Sequence, residues 1–130
     1  MKSTALKATT LQLAALFLIS CASITPGNDP VVVNAERITA LGADTFDTFL
    51  HFEADNSGAL KTVSPDIHKF AEALRRNGQT WLLTARSLTK AYKLNKTPEN
   101  KTSLQTALAV ISEAVAQANN YVARAANKTP

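Results

Sequence analysis

Asp44, Asp47, His51 and Asp55 are spaced three, four and four residues apart, which on an α-helix puts all four on one face. An imidazole with carboxylates one turn away on either side is a divalent-metal or proton-binding pattern. It lacks a second strong ligand on the same helix, because the other histidine, His68, falls in a later segment. The four residues are therefore read as a solvated polar face, and no metal ligand set is assigned. His68 and Glu72 have the spacing of an ordinary helical pair. Ser87 sits inside a helical pattern with nothing resembling a nucleophile elbow around it. The chain has no glycine-rich phosphate loop and no paired Cys/His spacing. No residue is assigned a catalytic role, and the sequence predicts a protein that is not an enzyme.

The residue with the clearest chemistry is Cys21, the only cysteine of the chain. Lys2 and Lys7 precede the apolar run 11–19. A nine-residue helix spans only ~14 Å against the ~30 Å of a bilayer core, so the run reads as a signal-peptide core and not as a spanning helix. It ends in Leu18-Ile19-Ser20-Cys21. This motif resembles the lipobox of bacterial lipoproteins, a resemblance confined to residues 1–21. It implies cleavage before Cys21, a diacylglycerol on the Cys21 sulfur and an acyl chain on the new amino terminus, with no other cofactor. Two or more acyl chains anchor a protein stably where one does not. Ala22 after the cysteine resembles the outer-membrane sorting pattern of enteric-type bacteria. The expected location is thus the cell envelope, lipid-anchored at the periplasmic face of the outer membrane. The competing reading is an ordinary cleaved signal with Cys21 at its edge, or one cleaved after Ala22-Ser23. A single cysteine leaves the exported domain without an internal disulfide, so its core alone must hold it.

The expected organisation is a signal peptide over 1–20, a tether over 21–29 and one domain over 30–127. The 110 residues after the signal suffice for one modest core. Sparse Gly and Pro with abundant Ala and Leu favour an all-α fold. Without Lys2 and Lys7 the chain has 12 basic and 10 acidic residues, a net +2, too mild a balance for a nucleic-acid binder. The charge is unevenly placed: residues 29–55 carry −5 and residues 61–101 carry +6. One reading packs an acidic helix beside a basic one. The other turns Lys69, Arg75, Arg76, Arg86, Lys90 and Lys93 towards an envelope protein or an anionic surface.

The elements that position these residues start alike. Asp29-Pro30, Ser64-Pro65 and Thr97-Pro98 each place a capping side chain before a proline, which predicts three helix starts. Alternating four-three spacing follows each: Val31, Ala35, Ile38, Gly42, Thr45, Phe49, Phe52 in the first; Ile67, Ala71, Leu74, Gly78, Trp81, Ala85, Leu88, Tyr92 in the second; Leu104, Leu108, Ile111, Val115, Ala118, Val122 in the third. The second helix is expected to run unbroken through Gly78, since the register does not shift there. The segment 54–63, with its Asp-Asn-Ser-Gly, reads as the first connection, and 94–97 as the second. The tail from Asn119 is expected to fray. The result is a three-helix up-down-up antiparallel bundle.

The aromatic residues are read first as core, with one exposed ring among Phe46, Phe49 and Phe52 as a docking alternative. Asn95, Asn100 and Asn127 each begin an Asn-x-Thr glycosylation pattern, read as incidental behind a bacterial signal. The leading functional expectation is a lipid-anchored interaction module. The alternatives are a bundle holding a small apolar ligand near Trp81 and Phe49, or a phage-encoded lipoprotein that modifies its host's envelope.

Overall fold

The computed structural model describes residues 28–127. They form three helices, α1 (Pro30–Val63), α2 (Pro65–Leu94) and α3 (Pro98–Ala126), about 51, 45 and 44 Å long at 1.5 Å per residue. The lipobox, the signal peptide and nearly all of the tether lie outside the described residues. The contacts give the topology. Phe46 packs on Gly78 and Glu36 pairs with Lys93, so α1 and α2 are antiparallel. Gly42 meets Ile111 and Phe49 meets Tyr121, so α1 and α3 run parallel. All three pairs of helices pack on one another. The fold is an all-α, up-down-up three-helix bundle.

Two of the three helix starts work as their sequences predict. The Asp29 carboxylate accepts from the Val31 amide at 2.9 Å, and the Thr97 hydroxyl accepts from the Asn100 amide at 3.2 Å. Ser64 differs: its side chain makes no cap hydrogen bond. It is the sole residue between α1 and α2. Its amide closes α1 on the Leu60 carbonyl at 2.9 Å, and its carbonyl accepts from the Ile67 amide at 3.0 Å.

The expected connection 54–63 is in fact helix. Asn56, read as a turn residue, instead donates its side-chain amide to the Phe52 carbonyl at 2.8 Å, and Leu60 is buried. The buried stripe therefore continues about two further turns, to Leu60, until Pro65 pushes Ser64 out of the helical region. The expected fraying from Asn119 is also corrected. α3 is helical to Ala126, held by Tyr121 against Phe49 and Phe70 and by Arg124, 2.5 Å from Asp66.

The seam of α1 differs in register. Its buried positions are Val32, Ala35, Thr39, Gly42, Phe46, Phe49, Glu53 and Leu60, so Val31, Ile38, Thr45 and Phe52 are only flanking. On α2, Ile67, Ala71, Leu74, Gly78, Ala85 and Tyr92 are buried as expected, while Thr89 takes the place of Leu88. Thr39 and Thr89 satisfy their hydroxyls within their own helices, on the carbonyls of Ala35 and Ala85, at 2.7 Å each.

α2 runs unbroken through Gly78, whose missing side chain makes room for Phe46. The glycines of α1 are not equivalent. A Cβ on Gly42 would stand 2.5 Å from Cγ2 of Ile111 and 3.2 Å from Leu82, and a β-branched neighbour has little freedom to turn away. A Cβ on Gly58 would meet nothing within 4 Å. Gly58→Ala should therefore stabilise the protein by roughly 0.5–1 kcal/mol through helix propensity. Gly42→Ala should destabilise it, because overpacking of ~1–3 kcal/mol exceeds that gain. Thermal melts of the two variants check the opposite signs.

Candidate functional site

The most concentrated polar chemistry lies at the end of the bundle where α1 meets α2. Glu53 occupies a core position of α1 and is 1% exposed. A buried carboxylate is costly unless its oxygens are matched, and α2 matches both. His68 Nδ1 lies 2.6 Å from one oxygen, and the Arg75 guanidinium donates to the other. Arg75 also donates to Glu72 at 2.7 Å, which is in reach of Arg76 at 3.9 Å. Burial pushes the Glu53 carboxyl up, but the hydrogen bonds and charges of His68 and Arg75 outweigh it and hold the group below the usual glutamate value. Glu53 is thus a carboxylate, which accepts only, so His68 must carry its proton on Nδ1.

Sequence reasoning paired His68 with Glu72. The structure corrects this, placing His68 on Glu53 and Glu72 on Arg75. Glu53 itself was missed, and its only sequence signal is its place in the three-four series of α1. A carboxylate on a histidine also occurs in nucleophilic sites. Here, among the described residues, no hydroxyl or thiol hydrogen-bonds His68, and both Glu53 oxygens are occupied. The arrangement clamps α1 to α2.

The acidic face of α1 lies in solvent. His51 and Asp47 are 3.6 Å apart with both side chains 77% exposed, and no group of three or more acidic, His or Cys side chains among the described residues could hold a metal ion. The basic residues of α2 fall into three groups, Arg76 staying on its own helix with Glu72. Arg75 and Lys93 cross to α1, Lys93 reaching Glu36 at 2.5 Å, as the acidic-beside-basic reading expects. Lys69, Arg86 and Lys90 are exposed and make no ion pair among the described residues. Arg86 and Lys90 flank a shallow groove between α1 and α2, lined also by Glu36, Thr39, Ala40, Thr89 and Lys93.

No aromatic side chain among the described residues is exposed. Phe46 and Phe49 are buried, Phe52 is packed against the core, and Trp81 meets Phe46 edge to face at 6.3 Å. The docking alternative through an exposed aromatic ring is therefore corrected: those rings are core.

A second cluster fixes the other end of the bundle, where α1 begins. Lys96, in the α2–α3 turn, lies 2.9 Å from Asp29, and the Tyr92 hydroxyl is 3.5 Å from the same carboxylate. The Lys96 hydrogen bond, opposed by burial and helped by the Val31 amide, holds Asp29 below its usual range. The start of α1 is thereby pinned to the α2–α3 turn. Among the described residues no helix is long and apolar enough to cross a membrane. No family model, curated protein or solved structure matches the chain.

Proposed function

We propose that this chain is a lipid-anchored bacterial envelope protein, a non-enzymatic interaction module held at a membrane surface through Cys21. The observation that carries the reading is the motif Leu18-Ile19-Ser20-Cys21 ending an apolar run behind Lys2 and Lys7. An all-helical body whose one buried carboxylate among the described residues, Glu53, is spent on clamping α1 to α2 suits a contact module better than a catalyst. The unpaired Lys69, Arg86 and Lys90 are the cationic surface offered to an envelope partner. Ala22 supports placement at the periplasmic face of the outer membrane.

The test is intact mass and membrane fractionation of the full chain expressed in a Gram-negative host, wild type against Cys21→Ser. The wild type should begin at Cys21, carry acyl mass there and sediment with membranes. Cys21→Ser should accumulate as an uncleaved precursor. Two forms that are equally soluble and cleaved alike would remove the anchor from the reading.

A further inference from the structure

Seven residues follow Cys21 up to and including Asn28, a span of at most about 25 Å when fully extended. α1 then runs 34 residues away from that point, about 51 Å. The Asp29–Lys96 and Glu36–Lys93 pairs tie its beginning to the α2–α3 turn. That turn presents Leu94, 81% exposed and the most exposed large apolar side chain of the described residues. Lys93 and Lys96 flank it, with Lys101 one turn into α3 and also exposed. The segments meeting there, 28–37 and 90–101, hold five basic and three acidic residues, a net +2. An apolar side chain framed by lysines is a surface suited to the interfacial zone of an anionic bilayer. At the opposite end the α1–α2 turn carries Val63, 64% exposed, but a tether that runs from Cys21 and ends at Asn28 cannot bring both ends to one bilayer with the bundle upright.

We infer that the α2–α3 turn is a bilayer-contact surface, with Leu94 entering the interface of an anionic phospholipid membrane and Lys96 and Lys101 lying among its headgroups. The inference rests on the lipid-anchored reading, and it sets the bundle standing away from the membrane with the α1–α2 turn outermost. Arg86, farther along the flank, stays open to a partner.

The experiment places a tryptophan at either end of the full-length chain, Leu94→Trp or Val63→Trp, leaving Trp81 in both as a shared background. Both sites are exposed at helix termini, and far-ultraviolet circular dichroism checks that the bundle is kept. Each protein is reconstituted in vesicles of phosphatidylethanolamine and phosphatidylglycerol with brominated acyl chains. Leu94→Trp should lose most of its added emission and shift to the blue, while Val63→Trp should keep its emission. Quenching of both, of Val63→Trp alone, or of neither overturns the inference. Intact mass at Cys21 on the same samples reports the anchor separately. If Cys21 is unmodified, the same vesicles are added to the unanchored chain. Quenching at position 94 alone then still supports the surface, and its absence at saturating lipid overturns it.

Discussion

Arg75→Met is expected to destabilise the bundle by about 3 kcal/mol, and Glu53→Leu by less than half of that, although the two residues form one ion pair. Removing one partner of a buried pair costs ~3–5 kcal/mol when the other charge is stranded, whereas an apolar replacement of the buried member can be nearly neutral. The side chains are unequal in this respect. Glu53 is 1% exposed, while Arg75 is 38% exposed and keeps Glu72. Loss of Arg75 leaves a carboxylate that water cannot reach, with His68 as its only donor. Loss of Glu53 leaves a guanidinium that rehydrates. The remaining His68 bond sets the Arg75→Met cost at the low end of the range.

The pH dependence has a definite sign. The Glu53 carboxyl is held below its ordinary value of 4.5, so its clamp contributes fully above that pH. The contribution is lost as pH falls through the lowered value of the folded state. Urea midpoints followed from pH 7 down to pH 3 should decline in the wild type and decline less in Glu53→Leu. Equal costs for the two substitutions, or parallel pH profiles, would show that the clamp contributes no such asymmetry.

Phe49→Ala should cost ~3–5 kcal/mol, a large part of the ~5–15 kcal/mol that holds a domain of this size together. Phe49 is 1% exposed and touches rings from all three helices: Phe52 on its own helix at 6.3 Å, Phe70 on α2 at 5.2 Å and Tyr121 on α3 at 6.3 Å, centroid to centroid. Three helices cannot all close on one hole, so relaxation is limited and the cavity term is large. Phe52→Ala, at a half-buried flank of the same cluster, should cost clearly less. Denaturant unfolding of the pair checks the ranking, and a Phe49→Ala midpoint near that of the wild type would show that the cluster is not a keystone.

The helix number and the starting residues were legible because Asp29-Pro30, Ser64-Pro65 and Thr97-Pro98 act locally, through a fixed proline φ and, at Asp29 and Thr97, a side-chain cap. The continuity at Gly78 was legible too, since its register does not shift. The register of α1 was not. Its apolar residues fit two overlapping seams that share Ala35, Gly42 and Phe49, and only the facing helices decide that Phe46 and Glu53 turn inward while Thr45 and Phe52 turn aside. A glutamate at a core position carries no apolar signal, so the Glu53 clamp became visible only once His68 and Arg75 were placed beside it. The Asp-Asn-Ser-Gly stretch misled for a related reason. Its residues favour turns in isolation, yet Leu60 has a buried place to fill one turn later and draws the helix onward.

The single residue Ser64 between α1 and α2 also governs the order in which the bundle can assemble. His68 meets Glu53 across a separation of only 15 residues, so the first tertiary contact closes a short loop at small entropic cost. Pairings between α1 and α2 can then zip outward from that corner as far as Glu36 and Lys93. Phe49 and Tyr121, by contrast, lie on elements joined only through the whole of α2. A helical hairpin of about 65 residues can then form quickly, and α3 docks into a groove already shaped for it.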